Sequence, residues 1–331
     1  MTPVVLIPGD GIGPEVTAAM CRIVGAAGAR IDWIDAVAGQ AAMEKYGEPL
    51  PDFTLDLIRK YRVGIKGPCT TPVGKGFRSI NVRLRRDLVL YASVRPVQSL
   101  PGIKVPYENV DLIVVRENTE GLYAGLEHVV VPGVVESLRL VTREGAERII
   151  RYAFEMARTL GRRKITVVHK ADVLPLSDGR FLEIAKQIAD DYPFLAWEEM
   201  SIDHLALGLV EHPERFDVLV MENLFGDVMS DLCAGLVGGL GLVPGANIGT
   251  RYALFEAVHG SAPDIAGQGK ANPIALLRSA AMLCEHIGQR EPARRIEHSV
   301  RETLKAGKGL TRDLGGDGNT TTLTEQLIAN L

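Results

Sequence analysis

Three short apolar runs that end in polar or charged side chains constrain this chain's fold most: VDLIVVREN (110–118), KITVVHK (164–170) and FDVLVMEN (216–223). Each is too short for a helix and too uniformly apolar for a strand with one wet face. Each therefore predicts a strand covered on both sides. Helical stretches stand between and around them. GAERIIRYAFEMARTLG (145–161) stops at Gly161, and the third run leads into GDVMSDLCAGL (226–236). PVVLIPGDGIGPEV (3–16) predicts a strand, a glycine turn and a helix with Pro14 in its first turn, where a missing N–H does no harm. Later helices fit 273–288, 292–307 and 322–331. The alternation is that of an α/β sheet, whose ligands gather beyond the carboxyl ends of its strands. Those ends carry Arg116, Glu117 and Asn118, then His169 and Lys170, then Glu222 and Asn223.

One segment does not fit. LEHVVVPGVVESLRLVT (126–142) has the composition of a β-hairpin turning at Pro132-Gly133, with no sheet of its own to join. A lone hairpin is marginal in water, so it is expected to pair with a partner subunit.

The chain's 331 residues suggest about two domains. Lys and Arg number 37 against 41 Asp and Glu, and a formal charge of −4 argues against nucleic-acid and membrane-surface partners. The four cysteines (Cys21, Cys69, Cys233, Cys284) form no CxxC pair, which suggests reduced thiols and a cytoplasmic location, with no zinc site or disulfide framework. The N-terminus lacks a basic n-region, and no stretch approaches the roughly 20 apolar residues of a membrane span.

Positive charge is concentrated locally instead. RSINVRLRR (78–86) holds four arginines beside one serine and one asparagine. On a helix starting near Ser79, Asn81 and Arg85 share a face that Ser79 can join, while Arg83 and Arg86 point to solvent. Arg95 and Arg116 add two guanidiniums, and guanidiniums bind carboxylates bidentately. Taken singly, each arginine also fits a surface ion pair.

Asp227 and Asp231 are four apart on a helix, and like charges at that spacing repel by roughly 0.2–0.5 kcal/mol unless a cation relieves them. Two carboxylates suit Mg2+ or Mn2+; an exposed pair or a helix cap is the competing reading. Lys170 follows an apolar strand, where burial would lower its pKa and make it a base. Tyr123 is a candidate proton donor. His259 lies in a small-residue loop that lets backbone approach a flat ligand. The glycine stretches fail as Rossmann or P-loop fingerprints: GDGIG (9–13) lacks the third glycine and GLGLVPG (239–245) has Pro244 there.

Taken together, IPGDGIGPEV, KGPCTTPVGKGFRSINVRLRRDLVLYASVRP, VRENTEGLYAG, VHKAD, MENLFGDVMSDLCAGLVGGLGLVPGANIG and EAVHGSAPDIAGQGKANP closely resemble the isocitrate/isopropylmalate, metal-dependent β-decarboxylating dehydrogenases across essentially the whole chain. The resemblance implies that family's own α/β fold, not a Rossmann fold, with two domains around a mixed sheet. Residues 1–94 and 239–331 would form the large cofactor domain, and 95–123 and 142–238 the small one. Residues 124–141 would form a clasp at the interface of a homodimer, possibly of a tetramer.

The resemblance also assigns roles. Arg85, Arg95 and Arg116 would clamp substrate carboxylates. Asp227 and Asp231, with Asp203 from the neighbouring subunit, would hold Mg2+ or Mn2+. Lys170, also from the partner, would take the hydroxyl proton, and Tyr123 would return a proton to carbon. Ser79 and Asn81 match the Ser-x-Asn of the isocitrate-using members and leave room for a third carboxylate, whereas isopropylmalate enzymes place apolar groups there. Thr70, Thr71, Glu256, His259, Gly260, Ala262, Asp264, Ile265 and Asn272 would contact the dinucleotide. Asp264 favours NAD, since a carboxylate there repels a 2′-phosphate. Homoisocitrate is the nearest rival substrate. A non-catalytic regulatory subunit, the rival from another class, is opposed by the presence of every one of these catalytic, metal and arginine residues.

Overall fold

The computed structural model describes residues 1–70 and 79–331, so Thr71 lies outside the described residues. The first part of the chain forms β1 (Thr2–Ile7), α1 (Gly13–Ala26), β2 (Ile31–Asp35), α2 (Gln40–Tyr46), α3 (Asp52–Tyr61), β3 (Val63–Lys66), α4 (Ile80–Asp87) and β4 (Ala92–Gln98). The middle forms β5 (Asp111–Glu117), β6 (Gly121–Val131), β7 (Val134–Leu140), α5 (Arg143–Thr159), β8 (Lys164–His169), α6 (Ser177–Ala189), β9 (Ala196–Ser201), α7 (Ile202–Glu211), β10 (Val218–Met221) and α8 (Asn223–Leu236). The last part adds β11 (Pro244–Ile248), β12 (Ala253–Ala257), α9 (Ile274–His286), α10 (Arg290–Ala306) and α11 (Thr320–Ala329).

Ten strands form one mixed sheet in the order β2-β1-β3-β12-β11-β4-β5-β10-β8-β9. β2, β1, β3 and β12 are parallel to one another, as are β5, β10, β8 and β9. β11 and β4 join these blocks through three antiparallel pairings, so the blocks run in opposite directions. The sequence expectation that both faces are covered holds residue by residue. Val4 and Leu6 enter one core cluster while Val5 and Ile7 enter another; Ile113 and Val115 likewise separate from Leu112 and Val114. Alternate side chains of a strand point to opposite faces, so runs buried on both faces read as continuously apolar.

On the face bearing Val5, Ile7, Leu112 and Val114, the core is interrupted at the joint. There the side chains are polar and buried: Lys66, Ser93, Arg95, Arg116, Asn247 and Glu256. The sequence places ligands beyond strand ends; the polar ground instead lies on a sheet face, between two apolar clusters, because opposed blocks offer no common carboxyl edge.

Among the described residues β6 and β7 pair only with each other. Gly133 takes the positive φ (85°) that a Pro-Gly turn needs at its second corner. The hairpin's apolar side chains stand largely in solvent, Val129 at 67% and Val135 at 62% exposure. No helix among the described residues is long and apolar enough to cross a membrane.

Candidate active site

Ser79 is extended and precedes α4 without using its hydroxyl as a cap. Its helix then presents Asn81 and Arg85 on one side. Both line a cavity of about 280 Å³, together with Ser79, Arg95 and Arg116. The expected convergence of these five residues is therefore observed. Arg85 is buried and donates to Glu256 Oε1 at 3.3 Å, and Asn81 Oδ1 is shut off from solvent without a partner among the described residues. Arg83 departs from the solvated face expected of it. It is half-buried and ties α4 to the Leu50 carbonyl and the Asp52 carboxylate, both at 2.7 Å.

The acidic pair lines the same cavity from α8. Glu222 caps that helix by accepting from the Phe225 N–H at 3.1 Å, so neither aspartate is the cap. Arg95 reaches both of them, Asp231 at 3.0 Å and Asp227 at 3.7 Å, so within this chain a guanidinium relieves the like-charge pair. Asp227 also takes Arg116 and the Tyr123 hydroxyl. Burial opposes its ionisation, but Arg116, the phenol and Arg95 prevail and hold its pKa below the ordinary carboxylate value. Tyr123 is shifted the other way: burial and the Asp227 contact raise its pKa, so the phenol keeps its proton at neutral pH. Arg116 lies 5.0 Å from the Tyr123 ring centroid and donates to Asn223 Oδ1 at 2.7 and 3.0 Å.

α8 reaches Arg116 because residue 226 has no side chain. A Cβ on Gly226 would fall 2.5 Å from Arg116 Cβ and Cγ. Gly226→Ala is therefore expected to cost about 1–3 kcal/mol of stability in urea unfolding and to weaken substrate binding by displacing Arg116.

Two residues were not anticipated as a pair. Lys66, only 2% exposed, donates to Glu256 Oε2 at 2.9 Å, and both line the cavity. Burial opposes Glu256's charge, yet Lys66 and Arg85 hold its pKa far below the usual carboxylate range. Glu256, assigned from sequence to the dinucleotide, is thus engaged inside the arginine cavity. The available signal was Lys66 closing the apolar RVGIK just as Lys170 closes KITVVH.

Lys170 and Asp203 stand apart. They bind each other and line none of this cavity. Lys170 Nζ also donates to Asp172 at 3.1 Å, and its N–H donates to Asp178 at 2.6 Å. The expectation of a pKa lowered by burial is corrected: Asp203 and Asp172 raise it.

A cleft of about 620 Å³ adjoins the cavity, and His259 and Gly260 line both. Of the residues assigned to the dinucleotide, Ala262, Ile265 and Asn272 line the cleft, together with Ile12, Lys270, Arg312 and Asp313. Asp264 is exposed in the short turn Pro263–Ile265 and does not line it. Thr70 donates its N–H to Asp10 at 2.7 Å and pairs with the Ser261 hydroxyl at 2.8 Å. Burial lowers the His259 pKa and keeps the ring neutral, and its Nε2 is buried without a partner among the described residues. A neutral ring beside small residues suits a flat heteroaromatic ligand. For a cation, Asp227 and Asp231 supply hard oxygens, but the described residues hold no group of three or more metal-ligating side chains. A hard cation bound between them would take its remaining ligands from other oxygens, such as carbonyls, waters or a substrate.

The family profile described as "Isocitrate/isopropylmalate dehydrogenase" matches residues 3–328. The chain belongs to the isocitrate/isopropylmalate dehydrogenase family. A Drosophila melanogaster relative named "Probable isocitrate dehydrogenase [NAD] subunit alpha, mitochondrial" is 48% identical over 330 residues, covering 99% of this chain and 87% of the relative. An Arabidopsis thaliana relative named "Isocitrate dehydrogenase [NAD] catalytic subunit 5, mitochondrial" is 49% identical over 98% of this chain and 87% of its own. The crystal structure of isocitrate dehydrogenase from Methylococcus capsulatus superposes with a TM-score of 0.96 at 52% identity, covering 100% of this chain and 99% of that one.

Proposed function

We propose that the protein oxidises isocitrate with NAD and releases CO2, giving 2-oxoglutarate, with Mg2+ or Mn2+ as the assisting cation. The observation that carries this reading is the cavity in which Arg85, Arg95, Arg116 and Lys66 converge with Ser79 and Asn81. Forked guanidinium donors suit carboxylates. The uncapped Ser79 hydroxyl and the unpartnered Asn81 amide oxygen would be left unsatisfied by an apolar substituent, which favours a third carboxylate. The names of the relatives support both substrate and nucleotide.

In this reading Arg85, Arg95 and Arg116 orient the substrate. Asp227 and Asp231 would hold the cation with Asp203 of a second chain. When bound, the cation supplies Lewis-acid polarisation of the hydroxyl and its neighbouring carboxylate. Lys170 of that second chain takes the hydroxyl proton as the carbinol hydride leaves for the nicotinamide. The C–C bond then yields CO2 and leaves its electron pair on carbon, where Tyr123 delivers a proton. The dinucleotide lies in the cleft with His259, Gly260, Ala262, Ile265 and Asn272, near Thr70; Asp264 on the rim meets the ribose, disfavouring a 2′-phosphate. Thr71 completes this assignment from the sequence alone.

A homodimer, possibly paired into a tetramer, would supply the second chain, and the exposed hairpin 124–141 is its proposed clasp. The large domain is taken as 1–94 and 239–331, a division that cuts β4. The cytoplasmic location expected from the sequence is kept as part of this proposal; the four free cysteines suit any reducing compartment, and the relatives' names carry the word mitochondrial. Homoisocitrate is the second reading, favoured by a further chamber of about 320 Å³ that shares Ser79, Val82, Arg85 and Tyr123 with the cavity.

The test is the initial rate of cofactor reduction with D-isocitrate and Mn2+, using NAD and NADP in parallel. NAD is expected to turn over far faster. Faster turnover with NADP would overturn the ribose assignment, and no turnover with either would overturn the substrate.

A further inference from the structure

We infer that Asn247 is a positioning residue for the carboxylate clamp, acting through Glu256 on Arg85, with Asn118 as its anchor. The inference rests on reading the cavity as the isocitrate site. Asn118 lies two residues beyond Arg116 at the end of β5 and is 4% exposed. Its Nδ2 donates to the Leu90 carbonyl at 3.2 Å and to Asn247 Oδ1 at 2.9 Å. Asn247, in β11 and 2% exposed, borders the same cavity, but its Oδ1 is taken by Asn118 and it turns its own Nδ2 to Glu256 Oε1 at 2.7 Å. That same oxygen accepts Arg85 Nη2 at 3.3 Å, while Glu256 Oε2 accepts Lys66. A row of buried side chains thus runs from the strand that bears Arg116, across the antiparallel joint, to the helix that bears Arg85.

The chemistry of the row requires at 247 an uncharged side chain that both accepts and donates. An amide does so through two separate atoms, which lets it reach Asn118 on one side and Glu256 on the other. A carboxylate there would face Glu256 across a buried contact, and an apolar side chain would leave the Asn118 donor and one Glu256 oxygen short of a partner. Arg85 depends on the result. Its Nε is buried without a partner, and among the described residues its side-chain hydrogen bond goes to Glu256 alone. The orientation of Glu256 therefore sets where Arg85 stands relative to Arg116, and this spacing selects for a tricarboxylate over a smaller diacid.

The test compares wild type with Asn247→Leu, which is nearly the same size, and with Asn247→Ser, which keeps a donor and an acceptor. Asn118→Leu is the second route should Asn247→Leu fold poorly. Calorimetric Kd for isocitrate and the kcat/KM ratio of isocitrate to D-malate, which lacks the third carboxylate, are measured on the intact enzyme. Asn247→Leu is expected to raise the isocitrate Kd and KM about tenfold, leave kcat within about twofold, and compress the isocitrate-to-malate ratio about tenfold. Asn247→Ser should recover part of each, and adding Asn118→Leu to Asn247→Leu should cost little more, as members of one row. An unchanged Kd and ratio, or a fall in kcat alone, would overturn the inference. If wild type neither binds nor oxidises isocitrate, the functional reading fails instead, and the same Kd comparison with citrate then decides whether the row positions the guanidiniums.

Discussion

Lys170→Met is expected to lower kcat on the order of 10³-fold while the isocitrate KM stays within a few-fold of wild type. Removing a general base typically forfeits 10²–10⁴ in rate, roughly, and binding contacts made equally in ground and transition states are untouched. In the single chain Lys170 is held by Asp172 and Asp203, which keep it protonated. An amine in that setting takes no proton. Under the proposed assignment Asp203 is drawn away to the cation, and the lysine loses the acceptor that contributes most to its raised pKa. Steady-state kinetics at saturating NAD and Mn2+ checks this. A variant with near wild-type kcat, or one whose loss lies wholly in KM, would remove Lys170 from the proton-transfer role.

The second large effect is on stability. Glu256→Gln is expected to cost about 3–5 kcal/mol in urea unfolding at neutral pH, because it leaves the buried Lys66 ammonium without its counter-charge. The sign of the pH dependence follows from the depressed folded-state pKa. A carboxylate whose folded pKa lies below its unfolded value contributes stability that is fully present above the ordinary value of 4.5 and drains away as pH falls towards the folded value. The gap between wild type and Glu256→Gln should therefore be widest near neutrality and narrow below about pH 4.5. Parallel urea curves at pH 7 and at progressively lower pH test it. A gap that is independent of pH would show that the charge of Glu256 does not support the fold.

Much of the fold is legible in the sequence because it lies deep in the sheet. β1, β5, β8 and β10 are flanked by neighbours on both sides and covered on both faces, so their apolar runs are unbroken. The edge strands β2 (IDWID) and β9 (AWEEMS) each carry two acids and escape notice, because an edge meets solvent. β11 (PGANI) escapes for another reason: its turn-like composition serves close packing and the Asn247 bonds rather than an apolar core.

The site divides along the same line. Asn81 with Arg85 and Asp227 with Asp231 are helical neighbours, so spacing alone brings them together. The Lys66–Glu256 pair joins residues 190 positions apart through the pairing of β3 with β12, and local pattern carries no trace of that register. The direction of the Lys170 pKa shift is hidden from local sequence for a related reason. Its environment is set by Asp203, which arrives on α7 from a distant stretch of chain.

Under the proposed function one isocitrate site is completed by two chains, since Asp227 lines the arginine cavity while Lys170 and Asp203 of the same chain do not. The direct measurement is the activity of a purified mixed dimer with Lys170→Met on one chain and Asp227→Asn on the other, each homodimer being inactive. If sites are shared, one site of the mixed dimer keeps both native residues, and about half of wild-type activity should return. If each chain builds its own site, both sites carry a lesion and no activity returns, which would rule out a shared site.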